Sequence, residues 1–151
     1  MLFCLYRRGI LAALAPPGVP EVDILVLDAH RKVAASIQVK TRTGLRGRGW
    51  VMNAKNEFIG DPNLFYALVD LGPEHPVTYI VPSAAIARVL HLDHLAFLSH
   101  PGIHGQVHKD NSVRRLLPSY KEGAAPGVED GWLEDYREGW DAVRAGTGRG
   151  D

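Results

Sequence analysis

Cysteine is nearly absent from this chain, since Cys4 is the only one among its 151 residues. An intramolecular disulfide is therefore excluded, and a reducing compartment such as the cytoplasm fits this composition best. Long apolar runs are also missing. Residues 1–15 are largely apolar, but Arg7 and Arg8 interrupt them and the stretch is too short to span a bilayer. We expect a cytoplasmic protein with no membrane segment.

Acidic residues are missing from residues 29–56, although the whole chain has a formal net charge of zero. That stretch holds seven basic residues: Arg31, Lys32, Lys40, Arg42, Arg46, Arg48 and Lys55. Acidic residues instead concentrate near the C-terminus, within residues 122–141. An uneven distribution matters more than the net sum when a partner is charged, so the basic stretch predicts attraction of phosphate groups.

Two apolar segments rich in β-branched residues, 22–28 and 33–41, flank the short polar stretch 29–32. This pattern predicts a β-hairpin, with a tight turn centred between His30 and Arg31. One face of the hairpin is expected to pack on the core through its apolar side chains, which are Ile24, Val26, Ile37 and Val39.

Three polar side chains of the hairpin are predicted to share the opposite face. Asp23 and Gln38 are equidistant from the turn, so they lie opposite each other and point to the same side. Lys40 follows Gln38 by two residues on the same strand and joins them. The hairpin therefore brings together a carboxylate, an amide and an ammonium group.

The remaining segments predict further strands and helices. Residues 64–71 and 77–81 have strand composition, whereas residues 50–58 favour either a strand or a short helix. Helices are expected over residues 2–14 and 84–98, the second with Ser83 as its N-cap and with a buried stripe of Ile86, Leu90, Leu95 and Leu98. Strands precede helices, so the predicted class is α+β, and a helix at each end of the sheet would give α/β/α layers.

Aromatic residues mark the C-terminal part of the chain. Trp132, Tyr136, Trp140 and Val143 recur at helical spacing and predict a final amphipathic helix. Such a helix can pack on its own core or on a second copy of the chain, so a homodimer is one expectation. We divide the chain into a domain over residues 1–120 and an acidic extension over residues 121–151.

The residue types on the hairpin suit phosphodiester cleavage. This reaction needs a hard cation held by oxygen ligands and a positive charge near the developing negative charge. Asp23 supplies a carboxylate, Gln38 an amide oxygen, and Lys40 an ammonium group. The alternative is that these three side chains form the solvated face of an ordinary hairpin, where alternating polar residues are common.

Four stretches together resemble the PD-(D/E)XK superfamily of restriction-endonuclease-like nucleases: residues 22–26, 36–42, 64–71 and 79–83. The resemblance covers roughly residues 7–120 and is closest to small bacterial members. It implies a central mixed β-sheet flanked by helices, and Mg²⁺-dependent or Mn²⁺-dependent DNA cleavage in active members.

Carried over by position, the resemblance assigns roles to the three hairpin residues. Asp23 matches the first acidic metal ligand, Gln38 stands where a second acidic ligand is usual, and Lys40 matches the catalytic lysine. A neutral amide binds Mg²⁺ less strongly than a carboxylate does, so the metal is expected to bind weakly. Relatives also carry a glutamate on an earlier helix, and in this sequence no acidic residue precedes Glu21.

Nucleic-acid contacts are predicted for four basic residues, Arg42, Arg46, Arg48 and Lys55. The glycine-punctuated loop at residues 43–49 would let its arginines conform to a phosphate backbone. The alternatives are a solvated basic loop and an exposed ion pair between Lys55 and Glu57, with Trp50 in the core.

Two competing functions remain open at this point. One is a catalytically inactive module that binds nucleic acid or another protein. The other is a zinc site in the histidine-rich stretch 91–108, where His91 and His94 can share one helix face.

Overall fold

The computed structural model describes residues 1–43, 49–102, 104–121 and 123–147. Its three α-helices are α1 (Leu2–Tyr6), α2 (Ser83–Ser99) and α3 (Asp141–Thr147). Its seven strands are β1 (Ala12–Leu14), β2 (Ile24–Leu27), β3 (Val33–Arg42), β4 (Trp50–Asn53), β5 (Leu64–Asp70), β6 (Val77–Pro82) and β7 (Val113–Leu116). Two 3₁₀ turns cover Ala54–Phe58 and Glu134–Tyr136. None of the helices in these ranges is long and apolar enough to cross a membrane.

Five strands form the central sheet in the order β1-β2-β3-β5-β6. β3 runs parallel to β5, and the other neighbouring strands are antiparallel. The sheet is therefore mixed, and helices pack on it, which confirms the predicted α+β class. A second sheet pairs β4 with β7.

The hairpin of β2 and β3 has the register that the sequence predicted. Ile24 lies opposite Ile37, as a turn centred on residues 30 and 31 requires. Asp28 explains the tight turn, because its Oδ1 accepts backbone N–H bonds from His30 at 2.8 Å and from Lys32 at 2.9 Å. The register shifts only next to the turn, between Val26 and Leu27.

The two faces of the central sheet bury different clusters. The face covered by α1 and α3 buries the apolar hairpin side chains, together with Leu5, Phe65, Trp140 and Val143. The face covered by α2 and the small sheet buries Trp50, Tyr66, Leu68, Ile86, Leu90 and Leu116. Because side chains alternate along a strand, β3 contributes odd-numbered residues to the first cluster and presents even-numbered residues to the second.

The helix predicted over residues 2–14 is wrong beyond Tyr6. α1 ends at Tyr6, Gly9 takes a positive φ of 71°, and β1 then pairs with β2. Pairing with the edge of the sheet buries Ile10 and Ala12. Tertiary pairing has overridden the helical composition of this segment.

The predicted C-terminal amphipathic helix is also wrong as a single element. Residues 134–136 form one 3₁₀ turn, and Glu138 takes a positive φ of 50° while its N–H donates to Thr78 O at 2.8 Å. This contact with the edge of β6 interrupts the helix before α3 begins. Leu133 and Trp140 still pack into the two clusters, one in each. The domain boundary at residue 120 and the homodimer stay predictions.

α2 is close to its predicted range, but two details differ. Ser83 is not the N-cap, because it is the first helical residue and its hydroxyl donates to Asp61 O at 2.7 Å. The buried stripe includes Ile86 and Leu90 as expected, whereas Leu95 is half exposed. His94 is buried in its place.

Candidate functional site

Gln38 and Lys40 lie on the face of the sheet that α2 and the small sheet cover. In the parallel register of β3 and β5, Gln38 is beside Tyr66 and Lys40 is beside Leu68. Tyr66 and Leu68 are both buried in the cluster on that face. Both polar side chains therefore emerge at the margin of an apolar core, where they are half-buried.

Asp23 immediately precedes β2, whose pairing with β3 begins at Ile24 and Ile37. Its backbone N–H donates to Ile37 O at 2.9 Å, and its Oδ2 accepts the N–H of Val39 at 2.7 Å. These bonds engage the residues on either side of Gln38, so the carboxylate is held against the backbone of β3 at that position. Asp23 itself is exposed, and its Oδ1 accepts no hydrogen bond from another described residue.

Gln38 has a side-chain oxygen that the fold leaves without a partner. Its Oε1 is buried and accepts no hydrogen bond from any residue that the structure describes. Burying such a group without a partner costs about 1–3 kcal/mol. A buried acceptor without a partner is unusual in an ordinary solvated hairpin, which would leave the amide in water.

Lys40 is a cation without a counterion in the described part of the chain. Its half-buried side chain makes no ion pair or hydrogen bond to another described residue. It follows Gln38 by two positions, which places its Cα about 7 Å along the strand. We call Asp23, Gln38 and Lys40 together the hairpin site.

The oxygen donors of the hairpin site fit Mg²⁺ better than they fit a softer metal. Carboxylate and amide oxygens are ligands of hard cations, and Mg²⁺ is commonly bound by only one or two carboxylates with water in its other positions. The buried Gln38 Oε1 is an acceptor available for this purpose. No group of three His, Cys, Asp or Glu side chains suited to a metal occurs among the described residues.

Arg42 continues the same face of β3, but its guanidinium is already engaged. It forms a hydrogen-bonded ion pair with Asp70 and lies 4.2 Å from the centre of the Trp50 ring. Burial opposes the charge on Asp70, yet the bonds from Arg42 and from the Gly72 N–H hold its pKa below the ordinary value. Trp50 is buried in the core, as the alternative interpretation expected.

The other predicted nucleic-acid contacts divide into two groups. Arg46 and Arg48 lie outside the described residues. Lys55 is exposed and forms an ion pair with Glu21, its Nζ lying 2.5 Å from Oε1. The expected pair between Lys55 and Glu57 is wrong, because Glu57 turns into the core and binds Arg114 instead.

Two residues near these surfaces were missed by sequence reasoning. Glu21 lies in the turn before β2, two residues before Asp23, and takes a positive φ of 62°. The only sequence signal for Glu21 was its position two residues before Asp23. Arg115 is exposed on β7 and has no partner among the described residues. Arg115 alternates with the buried Arg114 and Leu116, which is a strand pattern. The segment has too few apolar residues for the sequence alone to predict that strand.

A second polar cluster lies between α2, the first 3₁₀ turn and β7. Its centre is the buried ion pair between Glu57 and Arg114. Asp110 accepts from Arg114 at 3.1 Å and lies 2.9 Å from His94 Nε2, while His91 lies 3.4 Å from Glu57. We call these five residues the Arg114 cluster. Because each histidine faces a carboxylate beside this arginine, the described histidines do not form the proposed zinc site.

Comparison with known proteins gives one weak likeness. No protein-family model matches the chain, and no curated protein matches it. A solved structure of a bacterial homing endonuclease, I-Ssp6803I, is similar with a TM-score of 0.48 and 16% sequence identity. The match covers 96% of this chain and 84% of that one.

Proposed function

We propose that this protein is a metal-dependent DNA endonuclease of the PD-(D/E)XK type, with the hairpin site as its active site. Asp23 and Gln38 would hold Mg²⁺ or Mn²⁺, and Lys40 would act on the phosphate or on the attacking water. The observation that carries the proposal is the buried Gln38 Oε1, which has no hydrogen-bond partner among the described residues and belongs to the residue before Val39, whose N–H donates to the Asp23 carboxylate.

Each of the three side chains would have a separate role in phosphodiester hydrolysis. A bound divalent cation lowers the pKa of water and offsets negative charge on the phosphate. The bond from the Val39 N–H fixes one oxygen of Asp23 and leaves the other free to face the cation. Lys40 carries a positive charge that no described acid neutralises, so its ammonium remains free to stabilise the additional negative charge of the transition state.

DNA is the proposed substrate because the sequence around β3 is basic. Arg46 and Arg48 follow β3 in the sequence, and Arg115 is an exposed cation on β7. Arg42 would serve chiefly to hold Trp50 and Asp70, since its guanidinium is already paired. Lys55 can approach a phosphate once it leaves Glu21, because its side chain is 61% exposed.

Cleavage of plasmid and linear DNA in Mg²⁺ or Mn²⁺ tests the proposal. We expect Lys40→Ala to lower the rate about 10²- to 10³-fold, the usual effect of removing one group that stabilises transition-state charge. Lys32→Ala is the matched control, because Lys32 is an exposed lysine in the hairpin turn, away from Gln38. Equal cleavage by the wild type and Lys40→Ala would reject the assigned mechanism.

A catalytically inactive DNA-binding module is the second candidate. It is favoured by the neutral amide at position 38, which brings no charge to a cation. This function predicts salt-sensitive DNA binding that needs Arg46 and Arg48 and survives Asp23→Asn. DNA binding without cleavage in either metal would select it over the nuclease.

A further inference from the structure

Glu21, two residues before Asp23, has a largely buried carboxylate. Its side chain is only 16% exposed although it lies in a turn. Oε1 is buried and receives no well-directed hydrogen bond, because Lys55 Nζ approaches to 2.5 Å outside hydrogen-bonding geometry. The charge of this carboxylate is therefore offset, while its lone pairs remain without a directed donor.

A chain of contacts leads from Glu21 to the strand position of Gln38. Lys55, the ion-pair partner of Glu21, precedes Asn56, whose amide donates to the Tyr66 hydroxyl at 2.9 Å, and Tyr66 lies beside Gln38 in the strand register. Burial, and next the negative charge of Glu21, raise the pKa of the Tyr66 hydroxyl to about 12, although a hydrogen bond from Asn56 opposes this. Glu21 therefore lies within electrostatic reach of a side chain that neighbours Gln38 in the strand register. Asp23 approaches Gln38 from the same segment, two residues later.

The backbone at Glu21 has a conformation that residues other than glycine rarely adopt. Its φ of 62° lies in the left-handed region, which disfavours residues other than glycine, asparagine and aspartate. Backbone strain of this kind often occurs at functional sites. Here the strained turn directs a carboxylate inward.

We propose that Glu21 is a third oxygen ligand of the divalent cation, and that Lys55 neutralises its carboxylate while the cation is absent. This inference rests on the proposed function, because it concerns the same cation. Two carboxylates and one amide would then face the metal. The second carboxylate supplies the negative charge that glutamine does not bring at position 38.

The role of Lys55 follows from competition for one carboxylate. When a cation binds Glu21, the ammonium group must leave, and it is then free to contact a phosphate. Because Lys55 is 61% exposed, it can move away with little loss of packing. The ion pair therefore opposes metal binding, although only weakly.

Titration of the full chain with Mn²⁺, followed by the electron paramagnetic resonance signal of the free ion, tests this without measuring cleavage. We expect Glu21→Gln to weaken Mn²⁺ binding about tenfold or more. Lys55→Met breaks the same ion pair but keeps the carboxylate, so it should tighten binding about two- to fivefold. Circular dichroism melts establish that each variant is folded.

The two variants distinguish a metal ligand from a structural ion pair. If the pair only stabilises the turn, both variants will weaken binding together, and the inference is overturned. Unchanged binding in Glu21→Gln overturns it as well. An unchanged dissociation constant in Lys55→Met removes the proposed competition.

Asp23→Asn separates this inference from the proposed function. If Asp23→Asn abolishes Mn²⁺ binding and Glu21→Gln does not affect it, the hairpin site stands and only the role of Glu21 fails. If the wild type binds no Mn²⁺, or if Asp23→Asn binds it as well as the wild type does, the metal site of the proposed function fails.

Discussion

The hairpin site and the Arg114 cluster are two polar groupings at the margins of the same apolar core, and they differ in whether their charged side chains have charged partners. In the Arg114 cluster, the buried guanidinium contacts Glu57 and Asp110, and each carboxylate also faces a histidine, although the buried His94 Nε2 makes no well-directed hydrogen bond. In the hairpin site, Gln38 Oε1 is buried without a hydrogen-bond partner among the described residues, and Lys40 has no described counterion.

This difference indicates which of the two clusters contributes to folding stability and which is a candidate for function. A buried charge that is fully paired can persist because its partners replace the water it lost. A buried acceptor without a partner in the chain lowers stability unless water or a bound ion satisfies it. We therefore propose that the Arg114 cluster stabilises the fold, whereas the hairpin site binds a cation and a substrate.

Breaking the Arg114 cluster should produce the largest effect on stability. Arg114→Met leaves the buried Glu57 carboxylate without its principal partner, which lowers the free energy of unfolding by about 3–5 kcal/mol. Urea denaturation followed by tryptophan fluorescence measures this change.

The double variant Arg114→Met with Glu57→Gln is the control for that prediction. It removes both charges, so it should recover part of the loss. If the double variant loses as much as the sum of the two single variants, the side chains are not coupled and the structural role of the pair is contradicted.

Asp93 marks the edge of the Arg114 cluster and gives a pH-dependent test. Burial raises the pKa of Asp93 to about 6, although His94 and Arg114 oppose this. A raised carboxyl pKa means that the folded state favours the proton, so this contribution to stability is present at low pH and is lost as the pH rises from about 4 to 6.

Asp93→Asn should remove that pH dependence and stabilise the protein at pH 7 by about 1–2 kcal/mol, after allowance for solvent screening. Thermal melts between pH 4.5 and 7.5 measure the difference from the wild type. A constant difference across this range would contradict the raised pKa.

A substitution at Gln38 tests the hairpin site and should have a smaller effect on the free energy of unfolding. Gln38→Leu removes an acceptor that has no described partner, so the free energy of unfolding should stay unchanged or rise by up to about 1 kcal/mol. Asn56→Leu is the matched control, because the buried Asn56 amide donates to Tyr66 at 2.9 Å and accepts from the Asn53 N–H at 2.8 Å. That variant should lose about 1–3 kcal/mol. Equal losses in both variants would remove the distinction between the two amides.

Arg115 should have the smallest effect, limited to DNA binding. An exposed arginine that contacts a phosphate contributes to affinity and to its salt dependence but little to stability. We expect Arg115→Ala to reduce the slope of log affinity against log salt by about one. Fluorescence anisotropy with labelled DNA at several salt concentrations measures the slope, and an unchanged slope would place Arg115 outside the DNA-binding surface.

The local sequence pattern was sufficient to predict the hairpin but not the ion-pair partners of the charged residues near it. The β-branched arms and the polar turn led to the observed pairing of Ile24 with Ile37. The helix expected over residues 2–14 failed because pairing with β2 outweighs helical composition. Glu21 and Lys55 are 34 positions apart, and no local signal relates residues at that distance.

The most direct test of the hairpin site is the nuclear magnetic resonance signal of the Gln38 side-chain amide during titration with Mg²⁺ and then Mn²⁺. We predict that Mg²⁺ shifts this signal and the backbone amide of Val39, and that Mn²⁺ broadens both before other signals of the protein. If both signals are unaffected while the protein still cleaves DNA in Mg²⁺, the cation binds elsewhere and the assignment of the hairpin site is contradicted.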